Sequence, residues 1–374
     1  MNKIDQKIAS FYALDVEILS EPTQEIRNHL SEMILGTPGK LQYRFLEINE
    51  KLSSLKNCRF LILKKSGRMI GSVCLIRRES PVTTGDYSFW YIRYMFIRVP
   101  LKPKTYKQKK KKRENALQLN YIWSSVLKYL EQPEIMVDTS NQKKRSLLYS
   151  YVQKSNLRAS SFNSGVGLLP IRTFRTYLFS RIRPVKNICV RQIREEEKQN
   201  VIKLLREFYK DYVFYFEQNL FYKGQYYVFV EDNEIIAGIQ ANPEAWEFLN
   251  KPGLTGFILL KVLPVIPVIS KYWKPRNFRF TAVEGMFYKD GCEDALITLM
   301  ESVCAIHHNH FMLYWSDTGN SIYKILTRAR VKGFLSRFLP SEEGDICTRF
   351  INWKKEDADD FIRRRAYISC FDST

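Results

Sequence analysis

Two stretches of this chain, RFLILKKSGRMIGSVCLIRRE (Arg59–Glu79) and QYYVFVEDNEIIAGIQANPE (Gln225–Glu244), carry one pattern. Each has an aromatic and aliphatic run, polar or charged residues at a turn, an apolar pair, and then a glycine, Gly71 or Gly238. That is strand, tight turn, strand. The two hairpins sit in opposite halves of the chain, and their surroundings also match. The first is preceded by helical patterns at Thr23–Leu35 and Phe45–Leu55. It is followed by a strand SFWYIRYMFIRVP, a basic loop, a helix ENALQLNYIWSSVLKYL, a strand EIMVDTS and a helix QKKRSLLYSYVQK. The second is preceded by a helix at 195–210, whose apolar Val201, Leu204, Leu205 and Phe208 keep helical spacing behind acids in the first turn. After it come an apolar segment at 254–271, a strand FRFTAVEGMFY, a loop KDG, a helix CEDALITLMESVCAIHH, a strand FMLYWSD and a helix SIYKILTRARVKG. The order repeats, so the chain reads as a duplicated domain of mixed α/β (α+β) class. Each copy is expected to hold a mixed, mostly antiparallel sheet flanked by helices.

A length of 374 residues suits two such domains. The join falls in LLPIRTFRTYLFSRIRPVKNICVRQI, where a closing strand (Thr173–Phe179) passes through Arg183-Pro184 into a new strand at Ile188–Ile193. The domains are therefore 1–183 and 184–374, and with no Gly/Ser linker between them they are expected to pack together.

Charge separates the halves. Residues 1–187 carry 34 Lys and Arg against 14 Asp and Glu, whereas residues 188–374 carry 25 of each. The whole net charge of +20 belongs to the first half. Such a field attracts polyanions: nucleic acid, an anionic membrane or a phosphate-rich cofactor. Its densest part is Lys102–Arg113, eight cations in twelve residues. That run reads either as a solvated loop or as a phosphate site built from side chains. Nucleic acid ranks third, because only Tyr106 is interleaved and no RNA- or DNA-binding motif accompanies it.

Seven scattered cysteines without CxxC spacing point to free thiols in a reducing, cytoplasmic setting, and the start of the chain lacks a signal-peptide pattern. No transmembrane segment is expected. GLTGFILLKVLPVIPVISKYW (Gly253–Trp273) is interrupted by Lys261, Pro264 and Pro267. It reads as a broken buried helix, with an acyl-chain wall or a membrane-surface contact as the lesser alternatives. HHNH (His307, His308, His310) falls at a helix C-terminus, where histidine suits the dipole, and no metal is expected. DTGN (Asp317–Asn320) reads as a turn and an N-cap.

The element order, with VDTSNQKKRSLLYSYVQKSNLRA in one half and WSDTGNSIYKILTRARVKGF in the other, resembles the GNAT superfamily of acyl-CoA-dependent N-acyltransferases over nearly the whole chain. The resemblance implies that acetyl-CoA or another acyl-CoA lies in a splay between the fourth and fifth strands. Its pyrophosphate would rest on a following helix N-terminus behind Arg/Gln-x-x-Gly-x-Gly/Ala. Here KPKTYKQKKKKRENALQL has no glycine and YKDGCEDALITL has only Gly291, followed by Glu293 and Asp294. Lys109, Lys110, Lys111, Lys112 and Arg113, together with Gly291, are the candidate phosphate contacts. The family's chemistry implies a carboxylate base on the fourth strand and a tyrosine that protonates the leaving thiolate. Glu284 is the one acid in FRFTAVEGMFY; its other reading is an edge-of-core glutamate paired with Arg276 or Arg279. Tyr149 and Tyr323 are the candidate acids, with core packing as the alternative. The matching strand of the first half has Arg93 instead of an acid. Two functions follow: an N-acyltransferase acting on a small-molecule amine or peptide, or a non-catalytic binding protein on the same fold that takes an anionic ligand or nucleic acid.

Overall fold

A computed structural model describes residues 6–11, 13–81, 87–97, 124–137, 145–267, 269–328, 331, 333 and 342–373. It opens with an antiparallel pair, β1 (Gln6–Phe11) and β2 (Leu14–Leu19), which the sequence reading passed over. The helix Gln24–Glu32, capped by Thr23, a short strand β3 (Gln42–Phe45) and the helix Ile48–Ser54 lead into the first hairpin, β4 (Cys58–Lys65) and β5 (Arg68–Arg78). Then follow β6 (Tyr87–Ile97), a helix at 124–131, β7 (Arg145–Gln153), the helix Leu157–Gly165 and β8 (Leu169–Ser180).

The second half runs β9 (Val190–Gln192), the helix Lys198–Phe208, β10 (Tyr212–Val213), and the second hairpin, β11 (Tyr226–Glu231) and β12 (Glu234–Asn250). After the apolar segment come β13 (Phe278–Tyr288), the helix Glu293–Ile306, β14 (Phe311–Asp317) and the helix Ser321–Leu326. The chain closes with β15 (Glu343–Ile351), the helix Lys355–Arg363, β16 (Arg365–Ala366) and a helical turn, Cys370–Ser373.

A mixed, mostly antiparallel sheet flanked by helices is present, but the expectation of one sheet per half is corrected. Among the described residues one sheet of 14 strands runs through both halves, in the order β1-β2-β4-β5-β6-β7-β15-β8-β14-β13-β12-β11-β9, with β3 paired to β12, and β10 and β16 form a separate two-stranded sheet. The two halves exchange their last strands. β15 enters between β7 and β8, while β8 pairs with β14. The order from β2 inward mirrors the order from β9 inward, and the only parallel pairs in this sheet among the described residues, β6/β7 and β13/β14, occupy matching places. Exchange satisfies the backbone groups of both terminal strands inside the sheet, where a bare edge would carry a row of unpaired donors and acceptors.

Within the stretch Gln142–Lys154, read as a helix, Arg145–Gln153 is strand β7, and Glu134–Met136, read as the start of a strand, lies in a single turn of 3-10 helix, Pro133–Met136. Strand β7 lies mid-sheet, covered on both faces, with Leu147, Leu148 and Tyr149 fully buried. Such a strand loses the polar–apolar alternation that marks a half-exposed one. No cysteine is in a disulfide. Among the described residues, no single helix is long and apolar enough to cross a membrane.

Residues 1–183 expressed alone lack β15 and leave the edges of β7 and β8 bare. We expect that fragment to aggregate, and co-expression with 184–374 to return soluble material with the far-UV circular dichroism of the intact chain. A fragment that folds by itself, with a cooperative urea transition, would contradict the exchange.

Candidate active site

On either side of the exchange, a parallel pair comes apart. β6 and β7 stay registered only from Tyr87/Arg145 to Tyr91/Tyr149, and β13 and β14 only at Thr281/Met312 and Ala282/Leu313. Beyond those points each pair splays. Just past the fork, the central strand is bulged against its hairpin partner. The shift falls between Ser72 and Cys74 opposite β6, and between Gly238 and Gln240 opposite β12's neighbour β13. The residue in the left-handed region is Tyr94 (φ 52°) in β6 and Gly285 (φ 55°) in β13. Register therefore equates Arg93-Tyr94-Met95-Phe96 with Glu284-Gly285-Met286-Phe287. Glycine carries that backbone without steric cost; an aromatic residue stores about 1–3 kcal/mol there.

The two forks are filled differently. In the second half, the Tyr226 hydroxyl donates to Gly285 O (2.8 Å), the Tyr209 hydroxyl donates to Met286 O (2.5 Å), and Gly285 N donates to the Tyr367 hydroxyl (2.9 Å). The bulge's own polar groups are thus satisfied by side chains of the same half, inside a cluster holding Tyr209, Tyr212, Tyr215, Tyr226 and Tyr367.

Between the forks lies the end of the chain. β16 pairs with β10, Ala366 N donates to Asp317 Oδ2 (3.0 Å), and the segment then crosses to the first half. Arg78 forms a buried ion pair with Asp372. The Tyr91 hydroxyl donates to the Asp372 carbonyl (2.7 Å) and Arg93 Nη1 to the Phe371 carbonyl (2.9 Å). From the other side, the Ser369 hydroxyl donates to Glu284 Oε2 (2.6 Å). Burial is the largest influence on Glu284 and lifts its pKa to about 7, with Asp372 adding to the rise and Ser369 and Arg78 opposing it. Its partners are not Arg276 or Arg279; Arg276 holds Glu247 instead (2.8 Å).

Glu284 and Tyr149 both lie within electrostatic reach of the Arg78–Asp372 pair. Tyr149 is fully buried, stacked on Tyr91 with ring centroids 5.0 Å apart, and burial holds its hydroxyl well above the usual tyrosine range. Tyr323 is elsewhere, half-buried on the helix Ser321–Leu326, where its hydroxyl accepts from Arg175 Nη1 (3.3 Å). Gly291 is exposed at the turn after β13 (φ 80°), ahead of Glu293 and Asp294 in the helix's first turn, while Lys289 is engaged by Glu234 (2.7 Å). Lys109–Arg113 lie outside the described residues. His310 Nδ1 meets the Arg181 carbonyl (3.1 Å), Asp317 caps the turn at Gly319, and Asn320 caps the following helix.

The sequence reading missed the chain's end altogether, along with Arg78 and Tyr151. Signals existed only as charge and hydroxyl inside otherwise apolar strands. Yet four buried polar atoms there have no hydrogen-bond partner: Tyr94 OH, Tyr149 OH, Arg78 Nε and Asp372 Oδ2. All belong to groups coupled electrostatically to Asp372 or to Asp372 itself. Orphaned buried polar atoms at this density mark a place built for a partner rather than for packing alone. A cavity of about 820 Å³ opens beside them, lined by Tyr43, Tyr91, Tyr151, Trp246 and Asp372, with Lys40, Lys154 and Lys251 among its polar residues.

No protein-family model matches the sequence, and no curated protein matches it. Solved structures do. N-myristoyltransferase of Saccharomyces cerevisiae, solved with bound myristoyl-CoA and inhibitors, superposes with a TM-score of 0.53 at 11% identity, over 97% of this chain and 87% of that one. The same enzyme with bound myristoyl-CoA gives 0.51, again at 11% identity, over 97% and 90%. The fold is GNAT-like. The forked parallel pair read from this chain's ladders is thus set in a GNAT-like sheet.

Because Glu284 is a carboxyl group whose folded pKa lies above its unfolded value, the native state binds the extra proton. The stability this supplies is full below about pH 4.5 and lost as pH rises through about 7. Glu284→Gln should therefore gain relative to the parent on going from pH 5 to pH 8, by at most about 3 kcal/mol. Urea titrations at the two pH values check this, and a difference independent of pH would contradict the buried, proton-retaining carboxyl.

Proposed function

We propose that this chain is an N-acyltransferase that takes an acyl group from acyl-CoA in its first half and passes it to an amine presented from the central cavity. We read the two halves as diverged repeats, of which the first kept the ligand cleft. The observation that carries this reading is the contrast between the forks: the second has its bulge satisfied by three tyrosine hydroxyls, while the first leaves the Tyr94 and Tyr149 hydroxyls unpartnered behind a cavity that Tyr91 and Tyr151 line. The fold likeness to enzymes that bind myristoyl-CoA supports acyl-CoA as the donor class.

In this reading the thioester enters between β6 and β7 beyond Tyr91 and Tyr149. The run Lys102–Arg113 directly follows β6 in the chain, where the family places the pyrophosphate, and supplies point charges in place of glycine amides. Asp372, on the cavity wall, faces an incoming ammonium, held in place by Arg78. Glu284, with a pKa of about 7, takes the proton that the amine must lose before it attacks. Tyr149, kept neutral by burial, is the donor to the departing thiolate. Charge balances: the ammonium's first proton ends on the Glu284 carboxylate, Tyr149 gives its proton to the sulfur as the C–S bond breaks, and the nitrogen, now bonded to the acyl carbon, returns its second proton to the tyrosinate, leaving amide, CoA thiol and protonated Glu284.

Isothermal titration with CoA and with acyl-CoAs of increasing chain length tests the donor. Replacing Lys109 to Lys112 with Ser should weaken binding and flatten its salt dependence, because exposed charges act within about 10 Å at 0.1 M salt. Lys289→Ser, at the second fork, should change neither. Binding that responds to Lys289 and ignores Lys109–Lys112 would move the donor site to the second half, and no heat with any acyl-CoA would remove the enzyme reading. For the chemical step, Glu284→Gln should cut turnover roughly 10²–10⁴-fold with little change in the donor's affinity. An unaltered rate at saturating substrates would exclude Glu284 as the base.

A further inference from the structure

From Lys251 to Phe280 the chain carries six cations (Lys251, Lys261, Lys271, Lys274, Arg276, Arg279) and not one acid. This stretch holds the apolar segment that the sequence suggested would be buried. It is buried on one side only. Leu259 and Trp273 are inside, joined by a hydrogen bond from Trp273 Nε1 to the Leu259 carbonyl (2.6 Å), and Leu260, Leu263, Ile269 and Tyr272 pack against the core. On the outer side Leu254 is 75% exposed, Phe257 59% and Val265 75%, with Ile258 and Ile266 also in solvent. Single exposed apolar residues need no explanation, but five within thirteen residues, on a segment pinned from beneath by a tryptophan, make a patch.

The backbone there is a helix, Gly253–Phe257, running into a π-helical turn, Ile258–Val262, and a 3-10 turn, Leu263–Val265. No single helix here is long and apolar enough to cross a bilayer, and a short, broken helix with one exposed apolar side suits an interface. Lys261, Lys271 and Lys274 make no ion pair among the described residues, and all three are exposed. Apolar side chains projecting from a rigid base, ringed by unneutralised lysines, are the chemistry of a surface that seats in anionic lipid. The absence of any acid from 251 to 280 is what favours a bilayer over a protein partner, since protein interfaces alternate charge to fix register.

We propose that residues 253–266 dock this protein on an anionic membrane surface, with Leu254, Phe257 and Val265 entering the headgroup boundary and Lys261, Lys271 and Lys274 holding the lipid phosphates. The segment leaves the cavity wall at Lys251 and Pro252 and rejoins it at Phe278, so a docked molecule presents the cavity's mouth to the interface. This docking holds whether or not acyl transfer occurs.

Co-sedimentation of the full chain with phosphatidylcholine vesicles, with and without phosphatidylserine, tests it. The parent should pellet with the anionic vesicles and stay in solution with the neutral ones. The triple variant Leu254→Ser, Phe257→Ser, Val265→Ser alters only exposed positions and should keep the parent's circular dichroism and melting temperature while binding at least tenfold more weakly. Each of Lys261→Ser, Lys271→Ser and Lys274→Ser should lower the partition by about fivefold at low salt. The proposal is overturned if the parent binds neither vesicle, if the folded triple variant pellets as well as the parent, or if the patch instead drives lipid-free self-association in analytical ultracentrifugation.

Discussion

Strand β15 is hydrogen-bonded to β7 on one side and to β8 on the other, and these two ladders fix the centre of the molecule. They demand close approach: a β-carbon at Gly344 would sit 2.4 Å from Phe174 Cζ on β8. Around the junction, Arg175 and Glu343 pair across the strands (2.8 Å). Because β15 and β8 come from different halves, neither half can complete its sheet without the other. The two forked parallel pairs are thereby set symmetrically about a single seam, and the helix Lys355–Arg363, which follows β15, returns the chain's end to the space between them.

What the symmetric scaffold offers twice, the side chains use once. Register equates Arg93 with Glu284 and Tyr94 with Gly285. Both charged groups are held by the terminal segment, Arg93 by the Phe371 carbonyl and Glu284 by the Ser369 hydroxyl. Taking such charges out of water costs several kcal/mol per ion unless partners compensate. Arg78 and Asp372 compensate one another, and Glu284 answers the cost by holding its proton until near neutrality. Lys51 and Glu244, a second buried pair between the halves (2.7 Å), respond in the same way. Burial lowers the lysine's pKa to about 8 and raises the glutamate's. Titratable groups poised near neutral pH in one water-poor region are what proton transfer needs.

Electrostatics divides the molecule differently from its topology. The sheet is continuous, but the charge excess stays with residues 1–187. The strongest cationic run follows β6 of the first fork in the chain, and the neutral half holds the fork filled by tyrosine.

Much of this fold was legible in the amino-acid order. Both hairpins, the strands at 278–288 and 311–317, the helices around 24–32, 198–208 and 293–306, and the mixed-sheet class follow from local spacing, because hairpins and amphipathic helices are written in contacts a few residues long. Glu284 was legible as the lone acid in an apolar strand. Strand β7 was not, since burial on both faces erases the alternation that distinguishes a strand from a helix. Nor was the exchange of β8 and β15, or the convergence of Arg78, Tyr149, Tyr151 and Asp372, which joins residues almost 300 apart. Sequence alone set the elements and their repeated order. Which strand pairs with which, which fork is filled, and where the chain's end comes to rest were decided by tertiary structure, because those choices depend on satisfying backbone edges and buried charge across the whole sheet.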